Sequence, residues 1–215
     1  MVSGTSTRKR SNAVSRSERK DLTRANLLQA ALALMGEGRS FTSLALREIA
    51  REAGVVPTAF YRHFRNTDEL GLALVEELGI TLRRLLHEAR KMDVAPRDIL
   101  RRSVSVYLDY VKLNRLQFVF ISSERSGGSR ILRLAIRNEV THFINEMAQD
   151  FRLHGFYPNL PTSSLQMVCS MIVMTMLAAA TDILDLLPDQ ALLEAEMTES
   201  FVQQLKIILF GATRW

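Results

Sequence analysis

The chain has 215 residues, a formal net charge of +5, 47% hydrophobic residues, and only ten glycines and five prolines. That balance excludes a collagen-like or wholly disordered chain and leaves room for one sizeable helical domain plus a small second module. The charge is unevenly placed: residues 1–66 hold twelve Lys/Arg against five Asp/Glu, a net of +7, while 67–215 come to −2. A polyanion partner is therefore expected for the front end alone.

Residues 1–17 are rich in Ser, Thr, Arg and Lys with almost no apolar content, so they are expected to form a flexible basic arm. Charge without an apolar h-region makes this start unlike a secretory signal. From Glu18, Leu22, Ala25, Leu28, Ala31, Leu32 and Met35 recur at three- and four-residue steps until Gly36 and Gly38, which predicts a first helix. A short second stripe, Leu46, Ile49, Ala50 and Ala53, ends at Gly54, and Pro57 opens a third helix expected over Pro57–Phe64. Only Gly54-Val55-Val56 joins the two, with Gly able to take a positive φ; the spacing predicts a helix-turn-helix. Ile49, Ala50, Ala53, Val55, Phe60 and Phe64 have the spacing for a small core with Leu28 and Leu32.

Six more helices are predicted, near 67–91, 96–113, 115–125, 129–154, 163–187 and 189–211. Pro96 after Met92-Asp93, the loop Ser126-Gly127-Gly128, the turn from Gly155 to Pro161, and Pro188 separate them. Neither sustained β-alternation nor an internal repeat is visible, so the expected fold is all-α, nine helices divided three and six. The division places an arm at 1–17, a basic three-helix unit expected to bind DNA at 18–66, and a six-helix body at 67–215. The apolar run Met167–Thr181 is broken by Ser170 and Thr175 and closed by Asp182, so it is expected to fall short of the ~20 residues of a membrane span. The single Cys169 lies in that run and excludes an internal disulfide, which suits a reducing compartment and an expected cytoplasmic location.

The third helix carries the candidate chemistry. Entering a major groove N-terminus first, it would set Pro57, Thr58 and Ala59 against base edges and thymine methyls, with Tyr61, Arg62, His63 and Arg65 outward toward the backbone. Lys20, Arg24, Arg47 and either Thr42 or Ser43 are further candidate phosphate contacts. These residues form no catalytic constellation, and without a nucleophile elbow, a phosphate-binding glycine loop or a Cys/His cluster the alternative of a helical enzyme or lipid carrier leaves the basic front end unexplained.

The run LREIAREAGVVPTAFYRHFRNTDEL, residues 46–70, resembles the DNA-binding signature of the TetR family, the likeness extending over roughly residues 20–72. One departure is visible, Leu44 and Ala45 where the family usually begins helix two with Ser or Thr, so its cap is expected from Thr42 or Ser43. Further segments are similar to repressors of unsaturated fatty acid synthesis of the FabR and DesT type: Arg39-Ser40-Phe41, Leu44, Val56-Pro57-Thr58, Asp68-Glu69-Leu70-Gly71-Leu72, Glu124-Arg125-Ser126-Gly127 and the late Gly211-Ala212 with Trp215. The resemblance implies a repressor of fatty acid desaturation or synthesis genes, needing no cofactor and answering to a long-chain acyl-CoA. A repressor of an efflux or catabolic pathway with another hydrophobic ligand is the alternative.

On that reading Tyr107, Tyr110, Phe118, Phe120, Arg125, Phe143, Met147, Met171 and Met174 are the candidate effector-binding residues, with Met167, Met176 and Phe151 beside them; each alone is as readily explained by ordinary packing. Arg125, Arg130, Arg133 and Arg137 make either a headgroup site or a solvated face. Glu139, His142 and Glu146 share one helical face, but without a second Glu-x-x-His a surface ion-pair cluster is expected rather than a metal site. The last two helices are expected to pair with their copies in a twofold four-helix bundle through Leu177, Ile183, Leu186, Leu193, Phe201, Leu205, Ile208 and Leu209, so that the homodimer reads a palindromic duplex operator.

Overall fold

A computed structural model of the chain describes residues 15–91, 96–187 and 189–214. Most of the expected basic arm, the Met92-Asp93 break, Pro188 and Trp215 lie outside the described residues. Among the described residues the structure holds nine α-helices and no strand. They are α1 (Arg16–Gly36), α2 (Leu46–Glu52), α3 (Pro57–Phe60), α4 (Thr67–Lys91), α5 (Pro96–Leu113), α6 (Arg115–Ser126), α7 (Arg130–Leu153), α8 (Thr162–Leu184) and α9 (Ala191–Ala212). A 3-10 turn at Phe41–Ser43, between the first two predicted helices, precedes α2.

α1 begins two residues earlier than the apolar stripe because Ser15 and Glu18 form a capping box: the Glu18 N–H donates to Ser15 Oγ at 3.1 Å and the Ser15 N–H to Glu18 Oε2 at 2.6 Å. Leu28, Leu32, Ile49, Ala50, Phe60 and Phe64 are buried together, with Ala53 and Val55 packed against them, as their spacing predicts. The stripe fails at its start, where Leu22 and Ala25 are exposed. α2 and α3 are too short to cover the first two turns of α1.

The body packs α4 against α5 and α7, α8 against α7 and α9, and α5 against α9. Its core is continuous with that of the head. Burying side chains such as Leu108, Phe118, Leu132, Leu165 and Ile183 contributes ~1.5–3 kcal/mol each. By length and composition alone α8, with 23 residues, is apolar enough to cross a bilayer: mean hydropathy over its most apolar 18-residue window is 1.9, and 39% of that window is buried inside the chain. Leu165, Cys169, Ile172, Val173 and Ile183 enter the core, while Met167, Met171 and Met174 face outward.

Candidate nucleic-acid interface and effector cavity

The helix-turn-helix is set by three local devices. Ala45 has no side-chain acceptor, and Glu48 caps α2 instead, its Oε2 accepting from the Ala45 N–H at 3.0 Å. The Arg39 guanidinium grips both Glu48 oxygens at 2.9 and 3.2 Å, and this bond with the Ala45 amide holds the Glu48 carboxyl below its ordinary range. Neither expected cap serves: Ser43 Oγ donates to the Ser40 carbonyl at 2.7 Å, and Thr42 Oγ1 lies 3.5 Å from Ser40 Oγ. Gly54 then turns the chain at φ +69°, with the Val55 N–H reaching back to the Ala50 carbonyl at 2.9 Å. Pro57 starts α3.

α3 is shorter than expected. Its regular part ends at Phe60, and Tyr61 to Phe64 continue as turns, the Phe64 N–H bonding the Phe60 carbonyl at 3.0 Å. Asn66 forces this end by capping α4: its Oδ1 accepts from the Glu69 N–H at 2.8 Å while Glu69 takes the Arg65 N–H. Pro57, Thr58, Tyr61, Arg62 and Arg65 are exposed on one side of the unit and Ala59 is partly exposed, while Lys20 and Arg47 are exposed on α1 and α2. Two expected contacts are placed differently. Arg24 pairs with Glu77 on α4 and lies 5.5 Å above the Phe64 ring, so it ties head to body. His63 is only partly exposed, and its Nδ1 is buried without a hydrogen-bond partner. Burial, then the charges of Lys20, Arg24 and Arg62, push its pKa down. Val56, in the turn ahead of α3, is 65% exposed beside Pro57. Its position ahead of the proline, where a helix meets the groove, is the sequence signal that marked it.

Between head and body lies a second cluster. Phe41, in the 3-10 turn, is buried with its ring 5.0 Å from Phe120 on α6, and a Cβ on Gly71 of α4 would meet Phe41 and Leu132 at 2.8–3.0 Å. Glu124, one turn beyond Phe120, is 3% exposed, with Oε2 lacking any partner. It lies at Gly128, where Thr42 of the head also closes in. Ser129 Oγ donates to Asp68 Oδ1 at 3.0 Å beside it.

The body encloses an apolar cavity of about 260 Å³ between α4, α5, α6, α7, α8 and α9. Of the expected effector residues, Tyr107, Phe118, Phe143 and Met147 line it, as do Met176 and Phe151. The others are corrected. Tyr110 is buried beside Phe118 with its hydroxyl donating to the Leu78 carbonyl at 3.4 Å. Phe120 turns from the cavity to Phe41. Arg125 is exposed with Nη2 3.1 Å from Met174 Sδ, and Met171 and Met174 lie on the outer face of α8. Burial drives the Tyr107 hydroxyl, which donates to the Met176 carbonyl at 2.8 Å, well above the ordinary phenol range. Of the four arginines considered together, Arg125, Arg130 and Arg137 are exposed and Arg133 donates to the Gly127 and Gly128 carbonyls. Glu139 and Glu146 pair with Arg83, which is the ion-pair arrangement. No group of three or more His, Cys, Asp or Glu suited to a metal occurs among the described residues.

The faces expected to dimerise are also shifted. Ile183, Leu186, Phe201 and Leu205 are buried within the chain, and Leu177, Leu205 and Leu209 line the cavity. Ile208 is half-buried against the core, so among the eight only Leu193 is exposed. The outward apolar surface is formed by Met167, Met171, Met174, Leu187, Leu192, Ile207 and Phe210.

Residues 27–74 match the family described as bacterial regulatory proteins, tetR family, and residues 96–209 match the tetracyclin repressor-like C-terminal domain. Among solved structures, a TetR-family candidate from Syntrophomonas wolfei superposes with a TM-score of 0.71 at 15% identity, over 88% of this chain and 96% of its own. The fatty acid degradation regulator FadR from Bacillus halodurans gives 0.66 at 14% identity, over 87% and 94%. A protein from Clostridium perfringens, provisionally named a fatty acid metabolism regulator, gives 0.59 at 16% identity, over 86% and 97%. At these identities the likeness is one of fold.

Proposed function

The chain belongs to the TetR family of bacterial regulatory proteins, and from that premise we propose that it is a homodimeric repressor of fatty acid desaturation or synthesis genes, acting in the cytoplasm and controlled by a long-chain acyl-CoA. As a transcription regulator it is not an enzyme. The carrying observation is that α6 serves two neighbours: Phe118 and Ile121 line the apolar cavity, while Phe120 and Glu124 hold the Phe41–Thr42 turn of the head. A ligand that shifts α6 therefore shifts the reading surface. The fatty acid regulators among the structures of like fold support the choice of ligand class.

On this reading Pro57, Thr58 and Ala59 meet base edges, and Lys20, Arg47, Tyr61, Arg62 and Arg65 meet the backbone. The outward face of α8 and α9 pairs two copies, so two reading units engage successive major grooves ~34–36 Å apart on a palindromic operator. The ligand changes operator affinity only by its differential affinity for the two spacings, a factor of ten per ~1.4 kcal/mol.

Selection from random duplex DNA should recover a palindrome, and its affinity should fall linearly with salt on a log–log plot. Oleoyl-CoA or palmitoyl-CoA should raise the melting temperature and change operator affinity. No DNA enriched at low salt ends the regulator reading; a recovered operator indifferent to both thioesters ends the acyl-CoA reading alone.

A further inference from the structure

Arg83 of α4 and Glu139 of α7 interrupt the largely apolar cavity wall. They pair with one another, and Arg83 Nε lies 3.3 Å from Glu146 Oε2. One guanidinium thus serves two carboxylates, Glu139 in the wall and the half-exposed Glu146 behind it, which leaves Arg83 engaged rather than free to take an incoming anion. On the outer side His142 keeps its Nδ1 3.7 Å from Glu139 Oε1 and leaves 62% of its side chain in solvent. The two phenols of the lining are engaged, the Tyr107 and Tyr157 hydroxyls donating to the Met176 and Leu209 carbonyls, each at 2.8 Å, and Ser103 and His154 complete its polar groups.

Gly79 is what seats the carboxylate. A Cβ at this position would overlap Glu139 Oε2 and lie 3.1 Å from its Cδ and 3.2 Å from Arg83 Nη1. A glycine in mid-helix is less favourable than alanine, and an ordinary surface ion pair requires no such opening. The geometry points to Glu139, seated against Gly79 and shared with Arg83, as the residue that sets the head-group charge the cavity accepts. Long chains ending in a neutral ester, thioester, amide or alcohol place that end beside Glu139, and the matching carboxylates are rejected. At an effective dielectric of ~20, a lone like charge ~6 Å away corresponds to roughly a hundredfold discrimination, which the paired Arg83 and solvent at the mouth reduce toward tenfold.

The inference rests on the cavity being the effector site. Isothermal titration of the full chain with laurate and methyl laurate tests it, in wild type, Glu139→Gln and Glu146→Gln. Wild type should favour the ester by at least about tenfold. Glu139→Gln should narrow the ratio to about threefold or less, mainly by strengthening laurate binding, and Glu146→Gln should narrow it less. Comparing ratios between proteins cancels the difference in hydrophobicity between the two chains, and an unchanged ester affinity certifies the fold of each variant. Laurate bound as tightly as its ester by wild type, or a ratio that neither variant narrows, overturns the inference while leaving the cavity as effector site. Binding of neither chain overturns both.

Discussion

Tyr61 presents 63% of its surface at the end of the reading helix while its ring edge rests against Phe60, 6.1 Å away between centroids. Removing it should take away a DNA contact and little packing. Tyr61→Ala is expected to weaken operator binding by ~1–3 kcal/mol with an unchanged melting temperature, and equal binding isotherms for variant and wild type would refute its placement. His63 behaves differently because it is partly buried. Its folded-state pKa lies below the unfolded value of ~6.5, depressed first by burial and then by Lys20, Arg24 and Arg62. A depressed imidazole stabilises the fold above the unfolded pKa, and that stability is lost as pH falls through ~6.5 and below. Urea midpoints should therefore fall more between pH 8 and pH 5.5 for wild type than for His63→Asn, and parallel pH profiles would contradict the assignment. The sequence could give His63 an outward register on a helix. It could not show that the helix ends at Phe60, which turns one edge of the ring inward.

α6 is the element on which cavity and head meet, and Glu124 is its oddest residue, a nearly buried carboxylate with one oxygen lacking a donor. An unsatisfied buried polar atom costs ~1–3 kcal/mol, and more when charged, so Glu124→Gln, which replaces a buried carboxylate by a neutral amide of the same volume, should raise the denaturation midpoint. It should also reduce the effect of ligand on operator affinity, because the same oxygen lies where Thr42 and Gly128 close the junction. A lower midpoint would mean that the carboxylate already has all it needs. At this scale the sequence was legible where glycine and proline punctuate it: Gly36, Gly54, Pro57 and the Ser126-Gly127-Gly128 loop bound their helices within a few residues of the expected limits. It misled where apolar residues cover more than one face. α8 and α9 carry Leu, Ile, Met and Phe around much of their circumference, so spacing alone gave no inward side. The residues expected to dimerise, Ile183, Phe201 and Leu205, are core, and Met171 and Met174, expected in the cavity, face out. The same ambiguity hid Phe120, whose ring belongs to the junction rather than the pocket.

For the whole molecule the question is what covers the outward surface of α8 and α9. Met171 is 51%, Ile207 72% and Phe210 67% exposed, and Met167 and Met171 share a shallow groove with Ile207 and Gly211. Contiguous exposed apolar surface on a protein of this size marks an interface, and on two long adjacent helices a self-complementary pairing gives a closed dimer. Such a face also accounts for the hydropathy of α8 without a bilayer, since the part not buried inside the chain is the part the partner would cover. The basic front end makes the consequence measurable. Each reading unit alone holds a few phosphates, while two on one frame bind as a bivalent ligand, and avidity raises affinity by ~10²–10⁴. Met171→Glu combined with Phe210→Glu should convert the protein to a folded monomer in sedimentation. It should weaken operator binding at least a hundredfold and roughly halve the slope of log affinity against log salt, because half the phosphate contacts act at once. A double variant that sediments as wild type, or a monomer that binds the operator as tightly as wild type, would place the partner face elsewhere and remove the fixed spacing on which control by the ligand depends.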